Sequence, residues 1–354
     1  MLGSRIIQGF GASASEALGP AIVADLFFVH QRGYYNGWYG IMIAGGSSLG
    51  GVFGGLVYHA NPNWRYVFWM DSACVGFCFL CNALFLAETS YHRPESSEGI
   101  GGPQLAERPK SKISLRKALS VTGWHDKDTS VVQYLVRSLK LLTFPAMLWG
   151  GTVYGICLGL FVLQLTANST FFPPLYSFTG FGVGNLNAAN LIGAIIGCAY
   201  GGPCSDWIVG RISKLRGGYF KPEMRLWALI VPYVFAPVGL LMWGLGLHNH
   251  LHWIVPTVGS SITYGVLGAV QTICLTYIVD GYRAVAGEAM TSVTAYKNTI
   301  AFGLSFAVIP WCENEGFAKV GGYNLLIEGI MFSFAVPLYI YGERIRKWTS
   351  TLPL

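Results

Sequence analysis

The sequence is poor in charged residues. Asp, Glu, Lys and Arg make up only 11% of its 354 residues, 53% are hydrophobic, and the mean hydropathy is +0.46. Soluble globular domains carry roughly 25% charged residues, so the composition excludes an ordinary water-soluble domain. The 46 glycines and the 14% of aromatic residues are instead typical of a protein with several membrane-spanning helices, whose glycines let helices approach closely.

Several motifs of soluble and catalytic proteins are also missing. The sequence has no GxxxxGK[ST] phosphate loop, no HExxH motif and no Ser/His pairing inside an apolar run. Cys74, Cys78 and Cys81 have helical spacing, but no His or carboxylate lies within one turn of all three, which favours thiols that face lipid or the protein core over a metal site. We therefore predict no enzyme activity, no cofactor, no bound metal and no nucleic-acid partner.

Long apolar runs divide the chain into membrane spans. Because a bilayer core about 30 Å thick needs about 20 apolar residues per helix, the sequence predicts an all-α, polytopic membrane protein with nine spans, at roughly 4–27, 36–58, 66–87, 145–170, 184–205, 226–247, 253–279, 289–311 and 323–342. Residues 88–143 are polar and interrupt this pattern. The predicted parts are a three-helix bundle (1–87), a central loop (88–143), a six-helix bundle (144–342) and a tail (343–354).

The basic residues predict which connections face the cytoplasm. Of the 23 Lys and Arg, 19 lie in one alternating set of connections, which includes the central loop and the tail, and only Arg65 and Lys319 lie in the other. Cytoplasmic loops of membrane proteins are enriched in Lys and Arg. We therefore expect the central loop and the C-terminus to be cytoplasmic and the N-terminus to lie outside, in a membrane that we take to be the plasma membrane.

The arrangement of three spans, a long loop and six spans matches part of a larger pattern. A transporter built from two six-helix halves would show it after loss of its first three helices, which form one inverted repeat. We therefore expect the sequence to be a truncated form of a twelve-helix protein, in preference to a natural nine-helix design.

Several motifs resemble the major facilitator superfamily. The stretch "RIIQGFG", with Arg5, Gln8, Gly9 and Gly11, is similar to the start of the fourth helix of its proton-coupled antiporters. The stretch "GSSLGGVFGG" resembles their fifth-helix motif but has a second glycine where that motif has proline. Its glycines include Gly46, Gly50, Gly54 and Gly55.

The second half carries further similarities. "GGPCSDWIVGR" looks like the cytoplasmic loop motif between helices eight and nine, with one extra residue before Gly-Arg, and contains Asp206 and Arg211. "KPEMRLW" and "YIVDGYRAVAGEAMTSVTAYKN" are similar to signatures of fungal general-substrate transporters in the drug:H⁺ antiporter-like branch. The resemblance covers the whole chain and implies helices four to twelve of a twelve-helix fold.

Charged residues inside a span mark function, because each costs at least about 2.5–3.5 kcal/mol at the helix centre. Arg5 and Glu16 share one face of the first span but are separated by about 16 Å of helical rise, so they cannot pair. The resemblance implies a role for Arg5 in proton exchange; snorkelling is the alternative. We expect Glu16 to point into the bundle and hold a proton or a cation, or else to be a permanently protonated structural residue.

Other polar residues are candidates for gates and for a substrate cavity. We expect Asp25 and Asp206, at cytoplasmic helix ends beside Gly-Arg loops, to cap a helix or to pair with arginine in one state and release it in another. We expect Lys297 to lie close to the cytoplasmic face and to snorkel or pair with Glu288 or Asp280. The uncharged cavity candidates are Gln8, Gln164, Asn168, Tyr264, Gln271 and Asn298, each of which can instead serve helix packing.

Together these features predict a secondary active transporter. It would carry a small organic solute by alternating access, driven by protons, as an exporter of drugs or toxins or as a carrier of organic cations such as polyamines. We expect it to work as a monomer in the lipid bilayer. The alternative is a transport-incompetent membrane fragment, because the missing repeat would supply half the gate and one side of the cavity.

Overall fold

The described part of the chain is almost entirely helical. The computed structural model describes residues 2–28, 31–85, 131–282 and 285–349, and we number their helices in chain order. They are α1 (Leu2–Leu26), α2 (Arg32–Ala60), α3 (Arg65–Phe85), α4 (Val131–Leu141), α5 (Pro145–Tyr176), α6 (Gly180–Ala199), α7 (Ser205–Leu215), α8 (Ile230–His248), α9 (Ile254–Gly281), α10 (Ala286–Glu315), α11 (Phe317–Ser333) and α12 (Ala335–Thr349).

Two short segments extend these helices. A π-helical turn, Tyr200–Cys204, joins α6 to α7, and a 3₁₀ segment, Pro222–Leu229, leads into α8. Pro203 lies in the π turn and has no backbone N–H, so the wider turn accommodates a residue that an α-helix tolerates poorly. Most of the predicted central loop lies outside the described residues.

Seven described segments are long and apolar enough to cross a bilayer. They are Arg32–Ala60, Arg65–Leu84, Pro145–Tyr176, Gly180–Leu215, Pro222–His248, Ile254–Gly281 and Phe317–Thr349. The two remaining predicted spans form α1 and α10, of 25 and 30 residues, which exceed a 30 Å core in length. The count of nine crossings and its division into three and six stay predictions.

Helix α9 lies at the centre of the molecule. It is buried along most of its length and packs against α2, α5, α6 and α8. At its crossing with α6 the two backbones touch, since a Cβ atom at Gly197 would overlap the carbonyl oxygen of Gly265. Glycine at this position is therefore required by the close approach of the helices.

Helices α1 and α3 lie at the periphery. Most of their large apolar side chains are exposed, including Phe10, Trp69 and Phe77. Exposed apolar surface of this extent indicates contact with lipid or another hydrophobic partner. Helix α1 nevertheless contacts α2, α9 and α10, which connects it to the rest of the structure.

Candidate functional site

An ion pair connects α1 with α10 inside the bundle. Lys297 Nζ lies 2.8 Å from Glu16 Oε1, and Asn298 Nδ2 donates to Glu16 Oε2 at 3.0 Å. Lys297 Nζ also donates to Asn298 Oδ1 at 3.0 Å. We call Glu16 and Lys297 the central ion pair, and Asn298 is bonded to both of its members. The Lys297 side chain is 2% exposed and that of Glu16 is 29% exposed, so any access to the pair runs past the carboxylate.

Aromatic residues surround this pair. The ammonium of Lys297 lies 4.6 Å from the ring centre of Tyr154 on α5, a distance at which a cation is attracted to the ring face. The Tyr39 hydroxyl donates to the carbonyl oxygen of Glu16 at 3.0 Å and so fixes α1 against α2. Gly155 leaves room for the Lys297 backbone, since a Cβ atom there would lie 3.1 Å from Lys297 Cα.

Both charges lie far from the helix ends. Glu16 follows Leu2 by fourteen residues, about 21 Å of rise, and Lys297 follows Ala286 by eleven, about 17 Å. Either charge alone would be costly at this depth, and each compensates the other. Helix α10 begins at Ala286, so Lys297 lies about three turns into the helix, and its expected location near the cytoplasmic face stays a prediction.

The expected partners of Lys297 are different in the structure. Glu288 pairs with Arg137 of α4 at 3.6 Å, and Asp280 binds two arginines. The partner that Lys297 has, Glu16, is 281 residues away in the sequence. Its position on a neighbouring helix cannot be read from local spacing.

A second group of charges links α2 to the helices that follow the central loop. Arg32 Nη1 lies 3.1 Å from Asp280 Oδ1, and Arg225 Nε lies 2.8 Å from Asp280 Oδ2. Arg225 Nη1 then reaches Asp206 Oδ1 at 2.7 Å. We call Arg32, Asp206, Arg225 and Asp280 the charge network. The side chains of Asp280 and Arg225 are 0% and 1% exposed, so these ions are shielded from water and depend on one another.

Helix ends position the charge network. Arg32 is the first residue of α2 and Asp280 lies one residue before the end of α9, whereas Asp206 lies two residues after the π turn that joins α6 to α7. The backbone N–H of Tyr34, in the first turn of α2, donates to Asp206 Oδ2 at 2.8 Å. Gly33 permits this contact, because a Cβ atom there would overlap the Asp206 carboxylate.

A layer of amides and hydroxyls connects α5, α8 and α9 near the other end of the bundle. Asn168 Nδ2 donates to Ser260 Oγ at 3.0 Å, and Trp243 Nε1 donates to Asn168 Oδ1 at 2.9 Å. Gln164 Nε2 donates to Thr263 Oγ1 at 3.2 Å. These buried groups bind one another, which is the expected behaviour of polar residues that pack helices together.

Comparison with known proteins decides the family. A sequence model described as Major Facilitator Superfamily matches residues 1–310, which is most of the chain. The chain belongs to the major facilitator superfamily. The resemblance seen in the sequence motifs is thereby confirmed.

Fungal superfamily members are among the relatives. The chain is 25% identical to an uncharacterized MFS-type transporter of Schizosaccharomyces pombe over 99% of this chain and 69% of that protein. It is 31% identical to Protein HOL1 of Saccharomyces cerevisiae over 73% of this chain and 44% of that protein. It is 24% identical to "Probable efflux pump mfs2" of Aspergillus flavus over 98% of this chain and 81% of that protein. The chain thus spans about two thirds of the first relative and less than half of the second.

The glycines of the two stretches that resemble superfamily motifs lie in two different environments. Beside Gly9, Gly11, Gly46 and Gly50, a Cβ atom would meet no described atom within 4 Å. Gly55 instead packs against α6, where its Cβ atom would lie 3.2 Å from Gly184 Cα, and that of Gly54 would lie 3.6 Å from Val67 Cγ1. Gly51 of the same motif also packs closely against α6, because a Cβ atom there would overlap the Asn187 side chain.

The other predicted site residues are scattered over the structure. Arg5 donates to Gln8 Oε1 at 3.0 Å and lies 5.1 Å from the Phe68 ring centre, so both side chains are at the exposed face of α1. Arg211 lies over the Trp207 ring at 4.8 Å, and the arginine that binds Asp206 is Arg225. The side chain of Asp25 lies outside the part of the chain that is described.

Two cavity candidates remain buried near α2 and α9. Tyr264 is stacked on Phe161 at 3.8 Å, and its hydroxyl lies 2.5 Å from Ser47 Oγ. Gln271 is 5% exposed, and its Nε2 has no hydrogen-bond partner among the described residues. Sequence reasoning thus selected Glu16, Asn298 and Asp206 as site residues, named Asp280 only as a partner for Lys297, and did not select Arg32 or Arg225. The available signal was their position at span ends, where the arginines were counted only as loop charges.

Proposed function

We propose that the chain acts in a proton-coupled secondary active transporter that moves a small organic solute by alternating access. The solute is a drug or toxin for export, or an organic cation such as a polyamine. The observation that carries the proposal is the central ion pair, a contact between the buried ammonium of Lys297 and the partly exposed carboxylate of Glu16, which joins a helix before the central loop to a helix after it.

The central ion pair supports proton coupling for an electrostatic reason. While Glu16 is ionised, it holds Lys297 and joins α1 to α10. Protonation of Glu16 removes the negative charge and with it the compensation for the buried ammonium. The two helices then separate more easily, so one proton changes the relative stability of two arrangements of the bundle.

The charge network supplies a gate in this proposal. Arg32 and the Tyr34 N–H belong to α2, whereas Asp280 and Asp206 belong to helices after the central loop. Their contacts hold one end of the molecule closed, at the side predicted to be cytoplasmic. Opening that end requires the crossing contacts to break, while Arg225 keeps Asp206 and Asp280 joined within the C-terminal part.

The proposed setting follows from the same features. We propose that the transporter works as a monomer in the plasma membrane with its C-terminus in the cytoplasm, in keeping with the excess of Lys and Arg in one alternating set of connections. Of the candidate cavity residues, Gln271 has an unbonded Nε2 that can donate to a solute, whereas Gln8, Gln164, Asn168, Tyr264 and Asn298 must exchange the hydrogen bonds described above to bind one.

A flux measurement tests the role of Glu16. In proteoliposomes with an imposed pH gradient, we expect Glu16→Gln to abolish gradient-driven uptake of organic-cation probes, because the variant keeps the size of the side chain and loses its titration. Glu313→Gln, a neutralised carboxylate at an exposed position of α10, serves as the matched control and should keep wild-type flux. Wild-type flux in Glu16→Gln at equal protein level would remove Glu16 from proton coupling.

A further inference from the structure

A further carboxyl group is buried inside the bundle, separate from the central ion pair and from the charge network. Glu328 of α11 is 3% exposed. Its Oε1 accepts a hydrogen bond from the thiol of Cys157 on α5, with sulfur and oxygen 3.3 Å apart. Its Oε2 is buried and has no hydrogen-bond partner among the described residues.

An amide lies one helical turn before this carboxyl. Asn324 is 1% exposed, and neither its Oδ1 nor its Nδ2 has a hydrogen-bond partner in the described part of the chain. Residues four apart on a helix lie on the same face. An acceptor, a donor and a carboxyl oxygen are therefore all left unsatisfied on one buried face of α11.

The described elements packed against α11 bring no cation into contact with Glu328. Helix α5 contributes Cys157 and contains no Asp, Glu, Lys or Arg, and α8 contributes Tyr233, which packs on Phe332, with His248 at its far end. On α10, Lys297 is held by Glu16. The basic residues of α12 begin at Arg344, sixteen residues or about 24 Å of rise beyond Glu328.

These surroundings determine the charge of Glu328. An ionised carboxylate without a cation in a bilayer-spanning bundle is strongly disfavoured, so the group is neutral and carries a proton. A purely structural acid is expected to have its oxygens hydrogen-bonded. The nearby amide can instead serve both protonation states, since its oxygen accepts from a carboxylic acid and its N–H donates to a carboxylate.

We propose that Glu328 is an exchangeable proton-binding site, and that the unbonded side chain of Asn324, one helical turn away, turns to hydrogen-bond both the protonated and the ionised form of the carboxyl group. The site is separate from Glu16 and does not depend on the function proposed above. Release of the proton leaves a carboxylate that the Cys157 S–H and the Asn324 N–H stabilise, and rebinding restores the neutral acid.

Infrared spectroscopy of the purified protein in lipid tests this proposal. We expect the wild-type spectrum to contain a band from the carbonyl stretch of a protonated carboxylic acid. This band should be lost completely in Glu328→Gln. The band should shift when H₂O is replaced by D₂O and should weaken as pH rises. Glu313→Gln, which neutralises an exposed carboxylate on α10, is the matched control and should leave this band in place.

Three results would overturn the proposal, and one further variant keeps the test independent of Glu328→Gln. An absent band would mean that Glu328 is ionised. A band equally strong in Glu328→Gln would belong to another group, and a band insensitive to both pH and D₂O would come from a structural proton that does not exchange.

In Asn324→Leu the ionised carboxylate loses a hydrogen-bond donor. Because hydrogen bonds to charged groups are stronger than those to neutral groups, the band should persist to higher pH than in the wild type. An unchanged pH response would remove Asn324 from the site.

Discussion

The charge network makes a sharp prediction for the variant Asp280→Asn. In the wild type, Asp280 neutralises Arg32 across the helices and Arg225 within the C-terminal part, with a side chain that is 0% exposed. The substitution leaves Arg225 with Asp206 at 2.7 Å and removes the Asp280 contact of Arg32, whose Nε donates to the Phe27 carbonyl at 3.3 Å.

The magnitude follows from these contacts. Removing one partner of a buried ion pair costs about 3–5 kcal/mol, and because Arg225 keeps one partner we expect a loss near 3 kcal/mol. Of this free energy of stabilisation, the Arg32–Asp280 contact alone contributes about as much as one charge-assisted hydrogen bond, about 1.5–3 kcal/mol. Since about 1.4 kcal/mol is a factor of ten, opening of this end should become roughly 10- to 100-fold more frequent.

Hydrogen–deuterium exchange can report this opening at Tyr34. The first N–H groups of a helix have no acceptor within the helix, and that of Tyr34 is bound by Asp206 from across the contact. We expect exchange of the peptide containing Tyr34 to rise roughly 10- to 100-fold in Asp280→Asn, under conditions in which exchange reports the population of the open form.

A matched variant separates gate opening from general destabilisation. Glu223 is buried, and both its oxygens bind Arg346 at 2.9 Å, but both residues lie after the central loop. Glu223→Gln should therefore lower thermal stability by a similar amount and leave Tyr34 exchange unchanged. Equal exchange in the two variants, or no increase in Asp280→Asn, would refute the gate.

Three further predictions concern packing and orientation. Gly197→Ala should destabilise the protein by more than about 3 kcal/mol in thermal unfolding, because the new Cβ atom overlaps the Gly265 carbonyl. As a control, Gly46→Ala lies in open space and should be neutral or stabilising by up to about 1 kcal/mol. Equal effects of the two substitutions would contradict the α6–α9 contact. Asn168→Leu should cost about 1–3 kcal/mol, measured in the same way, because Trp243 Nε1 loses its acceptor; wild-type stability would argue against the amide layer. A tag at the C-terminus should be accessible only from the cytosol, and labelling from outside would reverse the predicted orientation.

Much of the fold could be predicted from local sequence. Apolar runs long enough to cross a bilayer indicated the helices, and the described residues are helical at each of the nine predicted spans. Seven of these helical segments are also long and apolar enough to cross a membrane. Helix bounds were less accurate, because local hydropathy does not register the helical turns that continue beyond the membrane core. The last predicted span was expected to end at residue 342, whereas α12 continues to Thr349.

The candidate site could be predicted only in part. Glu16 was expected to point into the bundle, because a carboxylate in mid-span has no favourable contact with lipid, and in the structure it contacts Lys297 of α10. Its partner Lys297 was assigned to nearby carboxylates, since sequence spacing reveals neighbours only within the same helix. Arg32 and Arg225 were treated as loop charges because their burial arises only when α2, the 3₁₀ segment and α9 come together.

The sequence by itself determined the membrane class, the helical segments, the likeness to one superfamily and the residues that are too polar for a bilayer. These properties depend on composition and on periodicity within single helices. Only the tertiary structure decided which charges meet. Glu16 and Lys297 are 281 residues apart, and Arg32 and Asp280 are 248 apart. A helix pattern gives the direction in which a side chain points along its own axis, but the packing of separate helices determines what it meets there.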